Sequence, residues 1–247
     1  MIGDLLLLSG NDIPFLDAKV NIHQPTIKEI AYIGEESFYT GIQFLNFSKD
    51  ILLEEDKSSL ADKTDFDIFM SMMNSRDSQI RKNKTCAFMV LTLMFPNHKI
   101  HLTEDSITLI HVDTKEMSEI NNHNYGSFKE ILTQMFCIAK SKSQDDGFKP
   151  VNDMAKKIAE KLMKGRQKVA AARNESQKIA VLSRYISILS IGRNMDINTL
   201  LKYTVYQLYD VFERYTLYQN YDFNFRARLA GAKDLEEVEN WMKDIHS

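Results

Sequence analysis

The sequence predicts a mainly α protein of the α+β class, with short strands and a β-hairpin in its N-terminal part and a helical bundle in its C-terminal part. Glycine and proline are scarce, at nine and four in 247 residues, which favours helices over a turn-rich β-sandwich. Two short apolar segments separated by a polar turn mark a hairpin near 99–112. The longest helical pattern, Thr204–Gly231, is unusually rich in aromatic residues.

The first elements are expected to be strands, over residues 4–23. Asp4–Leu8 is an apolar run, and Ala18–His23 alternates so that every second side chain shares a face. A helix is then predicted to open at Thr26. Thr26 and Glu29 have the spacing of a capping box, in which the hydroxyl and the carboxylate satisfy free N–H groups at the helix start.

The same helix is expected to break at Gly34 and to resume over 35–47. The acidic stretch from Lys49 to Asp67 is the candidate mobile loop of the first half. Helices are predicted from Asp67 to Met73 and over Ala87–Phe95. The second of these is interpreted as a helix because Leu and Met outnumber β-branched residues.

The hairpin is the clearest β element. Its strands are predicted at Lys99–Thr103 and Ser106–Val112, with a two-residue turn between them. This register gives one apolar face. The predicted cross-strand pairs are Ile100–Leu109, Leu102–Ile107 and His98–His111.

Three histidines, His98, His101 and His111, cluster on this hairpin. A protein metal site needs a third and a fourth ligand, and no cysteine or carboxylate lies at a recognisable spacing from these residues. We therefore interpret them as histidines of the hairpin surface and predict no metal site.

From Gly126 onwards almost the whole chain is predicted to be helical. The first of these helices is expected to begin with a capping box at Ser127 and Glu130. A third capping box, Thr204 with Gln207, starts the aromatic helix, and Gly231 has the character of its terminating glycine. The remaining predictions are a polar loop at 141–149 and helices at 154–172, 177–191, 196–202 and 234–245.

The aromatic helix repeats Tyr or Phe every third residue from Tyr203 to Tyr221. Because a step of three falls about 60° short of a full turn, this row winds around the helix. One stripe of apolar residues, including Leu208, Phe212 and Tyr215, is expected to face the bundle. Some of the other aromatic residues are expected to remain for another helix or another chain, and the candidates are Tyr206, Tyr209, Tyr218 and Tyr221.

Charge divides the chain into an acidic α+β region, 1–125, and a basic all-helical region, 126–247. The first carries 11 Lys and Arg against 19 Asp and Glu, and the second carries 20 against 15. We expect the two regions to pack as one unit. The segregation is compatible with contact between the halves or with head-to-tail self-association.

The strongest charge feature is the predicted helix over 155–173, which is opposed only by Glu160. Three interpretations remain open: a solvated face, a surface for an acidic protein or for the acidic half of a second subunit, and a nucleic-acid site. The last is disfavoured because aromatic residues do not alternate with the basic ones and the chain is acidic overall. The basic candidates for interaction are Lys157, Lys161, Lys164, Arg166 and Lys168.

The sequence offers no recognisable catalytic site. It has no nucleophile elbow, no cysteine beside a base and no glycine-rich phosphate loop. Cys86 and Cys137 lie in apolar runs and are expected to be buried free thiols, which fits a reducing compartment. We expect no catalysis, no cofactor, no signal peptide at Leu5–Leu8 and no membrane span.

Several segments, in the same order along most of the chain, resemble proteins from the tail-morphogenesis gene clusters of phages and prophages of Gram-positive bacteria. They are HQPTIKEIAYIGEESFY, DFDIFMSMM, FKEILTQMFCIAK, MAKKIAEKLMKGRQKVA, VLSRYISILSIG, TVYQLYDVFERY and AGAKDLEEVENWMKDIHS.

The family is described as tail assembly chaperone-like, or as tail/baseplate morphogenesis proteins. The resemblance implies a protein without active-site residues that binds other phage tail proteins: tape measure, tube or baseplate components. It also implies a location in the host-cell cytoplasm during assembly, or in the virion tail. The alternative is a nucleic-acid-binding regulatory protein that uses the basic helix 155–173.

Overall fold

A short helix and a two-stranded sheet begin the chain. The computed structural model describes residues 2–49, 62–138, 181–231 and 240–243. Helix α1, Asp4–Ser9, replaces the strand that the apolar run at Asp4–Leu8 predicted. In a strand Leu5 and Leu7 would share one face, but Leu7 is buried and Leu5 is exposed. Gly10 ends α1 in the left-handed conformation, with φ of 70°.

The strands of this first sheet are β1, Ile13–Phe15, and β2, Val20–Ile22. A single 3₁₀ turn, Leu16–Ala18, joins them. They pair antiparallel, with Ile13 opposite Ile22, so the alternation predicted over Ala18–His23 is confirmed at β2. The apolar side chains of both strands point into the core.

Two helices follow, α2, Ile27–Ile33, and α3, Glu35–Leu45. The predicted capping box is present: Thr26 Oγ1 accepts from the Glu29 N–H, and the Glu29 carboxylate accepts from the Thr26 N–H. Gly34 separates the helices with φ of 82°, as the sequence predicted.

The next pair of helices is α4, Asp65–Asn74, and α5, Ser78–Met94. Helix α4 begins two residues before the predicted start, because Thr64 and Asp67 form a further capping box. The apolar run that ends at Phe95 is helical, as predicted. Helix α5 packs along α3, where Gly41 allows close approach to Cys86.

A three-stranded antiparallel sheet contains the predicted hairpin. Its strands are β3, His98–Leu102, β4, Ile107–His111, and β5, Met117–Ile120, in that order. The three predicted cross-strand pairs are all confirmed. Strand β5 was not predicted. It is short, and only Ile120 on it is buried.

Helix α6, Tyr125–Met135, crosses the predicted boundary between the acidic and basic regions. Its cap position is Asn124, so the capping box predicted at Ser127 is wrong. Asn124 Oδ1 accepts from the Asn121 N–H, and its amide donates to the Glu119 carbonyl. These bonds hold the turn that starts the helix two residues before Ser127.

Three helices make up the described C-terminal part. They are α7, Val181–Gly192, α8, Ile197–Leu200, and α9, Val205–Leu229. The chain pairs Thr26 with Thr204 in an isolated antiparallel bridge, so the starts of α2 and α9 lie side by side. The Ile27 N–H donates to the Tyr203 carbonyl at 2.8 Å.

The α+β prediction is therefore confirmed, with two small antiparallel sheets in the N-terminal half and helices toward the C-terminus. Asn240–Lys243 forms a turn, where the sequence predicted part of a helix. Other predictions lie outside the described residues. They are most of the acidic loop, the loop at 141–149, the basic helix, the first residues of the helix at 177–191, and 234–239 and 244–245 of the last helix.

Candidate interaction surface

The first turns of α9 belong to the core of the chain. Thr204 and Gln207 form the predicted capping box, and Gly231 follows the last turn with φ of 93°. Tyr206 is 3% exposed and its hydroxyl lies 3.2 Å from Asp4 Oδ1. Gln207 Nε2 donates to the Leu8 carbonyl at 2.7 Å. Tyr206 therefore contacts another helix, α1, which was one of the two alternatives, and it is not available to another chain, so its place among the candidate interaction residues is corrected.

Tyr209 lies in the second turn of α9 and is half-buried. Its hydroxyl is 3.2 Å from that of Tyr39 on α3, and its ring meets Tyr185 of α7 edge-on. Burial raises the pKa of both tyrosines of the hydroxyl pair. Phe212 stacks on Tyr185 with ring centroids 3.7 Å apart. Most of the Tyr209 side chain thus serves contacts within the chain.

Tyr215 makes the closest approach between α9 and the end of α7. A β-carbon on Gly192 would lie 2.1 Å from the Tyr215 hydroxyl oxygen, so the ring occupies the space that a side chain there would need. Leu208 is fully buried, and Phe212 and Tyr215 are partly buried against the core. The prediction that these three residues face the bundle is confirmed.

Beyond Tyr215 the helix leaves the core, and residues 218–229 are called here the exposed end of α9. Five large apolar or aromatic side chains lie in these twelve residues, all classed as exposed. Isolated exposed apolar residues are ordinary, whereas a cluster is typical of a binding surface. They are Tyr218 at 38%, Tyr221 at 40%, Phe223 at 70%, Phe225 at 50% and Leu229 at 75% exposure.

Helical geometry divides these side chains between two sides of α9. At about 100° per residue, four of them fall within about 80° of one another. This set, called the stripe, is Tyr218, Tyr221, Phe225 and Leu229. Phe223 lies about 155° away from the stripe centre and continues the core-facing side of the helix past the end of the core.

The stripe is partly bordered by the last described turn. Trp241 meets the Tyr218 ring edge-on, with centroids 5.6 Å apart. Arg214 donates to the carbonyls of Trp241 and Lys243, at 3.4 and 2.6 Å. Met242 beside it is exposed. Tyr221 and Phe225 stack with nearly parallel rings, 6.3 Å apart.

One ion pair flanks the stripe. Arg226 Nε lies 2.9 Å from Asp222 Oδ2, one turn earlier on the same helix. A pair of this kind contributes little to helix stability, because water screens it. It nevertheless fixes a negative and a positive charge side by side along one edge of the stripe.

Sequence reasoning selected Tyr218 and Tyr221 but missed Phe223, Phe225 and Leu229. The search followed tyrosines at intervals of three, whereas the exposed stripe has steps of three, four and four. A search for apolar residues four and eight positions after Tyr221 would have found the other two members. The basic candidates, Lys157, Lys161, Lys164, Arg166 and Lys168, all lie outside the described residues.

A groove near this helix is an alternative site. It lies between α1, α6 and the start of α9, has a volume of about 880 Å³, and contains Cys137. Burial and the negative charges of Glu213 and Asp210 raise the pKa of Cys137 to about 12, so it is not an activated nucleophile. Lys129 in the same groove is held by Asp65 and by the Phe47 carbonyl.

The hairpin histidines form a second alternative. His98 and His111 meet edge-on with ring centroids 5.0 Å apart, and burial together with the neighbouring His111 lowers the pKa of His98. His111 Nδ1 accepts from the N–H groups of Asp113 and Thr114. Within the described residues, no group of three or more His, Cys, Asp or Glu could hold a metal ion.

Across the described ranges, none of the helices combines the length and the apolar character needed to cross a membrane.

Comparison with known proteins places a family match on the segment that carries the exposed end. Residues 173–246 match the family model described as the YomV second domain, a phage-derived family. The match covers less than a third of the chain and includes α7, α8 and α9. It supports a phage-related protein. Searches of curated proteins and of solved structures returned no match.

Proposed function

We propose that this phage-related protein acts in tail or baseplate assembly by binding other phage proteins, without catalysing a reaction. The observation that carries the proposal is the cluster of five exposed apolar side chains at the end of α9. The tail role comes from the sequence resemblance to tail-morphogenesis proteins, and the family match on 173–246 supports the phage origin.

The exposed end has the composition of a protein-binding surface. Aromatic side chains dominate the binding energy of protein interfaces, because they remove a large area from water at a small cost in conformational entropy. Tyr218, Tyr221, Phe223 and Phe225 supply four such rings within eight residues. A helix that extends beyond its own core also leaves both sides accessible to a partner.

The rest of α9 explains how this surface is held in place. Three contacts join the first half of the helix to other elements: Tyr206 with Asp4 of α1, Tyr209 with Tyr39 of α3, and Phe212 with Tyr185 of α7. A partner therefore meets a preorganised helix and does not have to order it, which favours binding.

Binding to the phage's own tail proteins tests the proposal directly. The tape-measure, tube and baseplate proteins would each be produced with the full-length chain and assayed by co-purification. We expect at least one stable complex, and at least a tenfold loss of affinity in Phe223→Ser. The matched control is Tyr32→Ser, which removes an aromatic side chain that is 81% exposed on α2.

The proposal would be overturned if the chain bound none of these tail proteins. Equal losses of affinity in Phe223→Ser and Tyr32→Ser would show that the exposed end of α9 is not the binding surface. Mass spectrometry of purified virions then separates the two forms of the function. Presence of the chain in the particle indicates a structural component, and absence indicates an assembly chaperone.

A further inference from the structure

We propose that the stripe of α9 is a self-association site, at which the same stripe of a second copy packs antiparallel about a two-fold axis. This inference rests on the proposed function, because it assumes that the exposed end binds protein. The inference identifies the partner that binds one side of the exposed end of α9. Phe223, on the opposite side of the helix, is left for other phage proteins.

The spacing of the stripe suits a helix partner. Tyr218, Tyr221, Phe225 and Leu229 span twelve residues, and the eleven steps between the first and the last make about 16 Å of helix. Steps of three and four keep the side chains on one side over three turns, as in seams between paired helices. A compact pocket or a flat sheet would not match such a long narrow stripe as well.

One two-fold axis pairs the whole stripe with itself. With the axis near Phe223 and Asn224, antiparallel packing brings Tyr218 opposite Leu229 of the second copy. The same axis brings Tyr221 opposite Phe225. Each contact then occurs twice, which is the property of an isologous dimer interface.

Charge complementarity in this antiparallel arrangement favours a second copy of the chain as the partner of the stripe. In an antiparallel pair of helices, a given edge of the seam faces the same edge of the other helix. The edge beside the stripe carries Asp222 and Arg226, which are 2.9 Å apart within the helix. The axis places each Asp222 beside the Arg226 of the second copy, so four charges alternate in sign.

The parallel arrangement lacks this complementarity. A parallel, in-register pair would bring the edge with Asp222 and Arg226 against the opposite edge of the other helix, which carries Asn224 and Arg228. Arg226 of one copy would then face Arg228 of the other, and that edge supplies no carboxylate to pair with Arg226. Like charges placed together at an interface weaken association.

The size of the stripe sets the strength of the dimer. Stable interfaces bury about 1,200–2,000 Å² in total, more than four side chains from each helix can supply. Trp241 contacts Tyr218 of the stripe and adds apolar area, and Met242, the next residue along the chain, is exposed. We expect a reversible dimer with a dissociation constant of about 1–100 μM, which corresponds to roughly 5–8 kcal/mol.

Charge reversal in the full-length chain provides the decisive test, by sedimentation velocity over a concentration series. Asp222→Arg and Arg226→Asp should each weaken the dimer by about tenfold or more. The double variant, Asp222→Arg with Arg226→Asp, should restore it, because the alternation of charges is preserved. Tyr221→Ser and Phe225→Ser should give monomers, whereas Tyr32→Ser should behave as the wild type.

Cysteine cross-linking reports the orientation. Antiparallel packing predicts that Tyr218→Cys forms a disulfide with Leu229→Cys when the two variants are mixed, and that neither forms one with itself. The native thiols will not interfere strongly, because Cys86 is buried and burial raises the pKa of Cys137 to about 12.

Several results would overturn the inference. They are a monomer at every concentration, a dimer that Tyr221→Ser leaves intact, a double variant that stays as weak as the single ones, and a disulfide between two Tyr218→Cys chains. A monomer whose stripe is covered by its own chain counts among them. Phe223→Ser should still dimerise, so loss of tail-protein binding in that variant tests the proposed function separately.

Discussion

Gly41 of α3 lies so close to Cys86 of α5 that a β-carbon at position 41 would be 2.5 Å from the Cys86 carbonyl oxygen. The same β-carbon would be 2.7 Å from Cγ2 of Val90. The obstacle is helix backbone, which cannot rotate away as a side-chain end can. This contact fixes the spacing of two helices that carry much of the core.

Gly41→Ala should therefore destabilise the fold. We expect a loss of about 1–3 kcal/mol, because the two helices must separate to admit the methyl group. Denaturant unfolding followed by circular dichroism measures the change. Gly126→Ala on α6 is the matched control, since nothing lies within 4 Å of its β-carbon position. Helix propensity alone would make both variants more stable, so a Gly41→Ala protein as stable as Gly126→Ala would show that packing does not govern position 41.

The tyrosines of α9 should separate into core and surface residues. Tyr206→Ala should cost about 3–5 kcal/mol, because it empties a buried site and removes the contact with Asp4. Tyr221→Ala should change the free energy of unfolding by less than about 1 kcal/mol, since its side chain is exposed. Similar losses at both positions would place the exposed end inside the folded core.

The ion pair between Lys129 and Asp65 should contribute to stability at neutral pH. The two charged atoms are 2.5 Å apart and join the first turn of α4 to α6. Burial raises the pKa of Asp65, but hydrogen bonds from Lys129 and from the Lys49 N–H outweigh this and lower it below its ordinary value. The folded state therefore favours the charged carboxylate.

It follows that this contribution is complete above the unfolded pKa, about 4, and is lost as the pH falls through the lower folded value. Asp65→Asn should cost about 1–3 kcal/mol at pH 7, with a smaller difference from the wild type below pH 4. Unfolding curves across pH 3–7 measure it. Glu36→Gln, at the exposed pair with Lys82, should change little. A difference at Asp65 that does not vary with pH would exclude the charge as its cause.

Cys137 should react slowly in the native protein. Burial and the negative charges of Glu213 and Asp210 raise its pKa to about 12, so almost none of it is thiolate at neutral pH. Iodoacetamide labelling at pH 7.5, read by mass spectrometry, should modify it far more slowly than in the unfolded chain. Equal rates in the two states would show that the site is open.

The sequence predicted the parts of the fold that depend on neighbouring residues. The capping boxes at Thr26 and Thr204 follow from two residues three positions apart, and the register of β3 with β4 follows from a short turn. Helix α1 was missed because its burial depends on contacts with Tyr206 and Gln207, about 200 positions later. No local pattern contains that information.

The candidate site was predicted only in part, because it too depends on contacts between residues that are distant in the sequence. Periodicity located α9 and its surplus of aromatic residues, and so identified Tyr218 and Tyr221. It could not show where the helix leaves the core, because that point depends on where α7 ends beside Tyr215. As a consequence, Tyr206 was grouped with Tyr218 and Tyr221 as available to another helix or another chain, and Phe225 was overlooked.

Hydroxyl-radical footprinting tests the central claim, that the exposed end of α9 is a contact surface, most directly. Oxidation of Phe223, on the side of the exposed end that is left for other phage proteins, would be measured in the dilute protein and in the complex with the tail protein that it binds. Tyr32 serves as the internal reference. We predict that labelling of Phe223 falls at least threefold in the complex while Tyr32 is unchanged. Equal labelling of Phe223 in both samples would contradict the account.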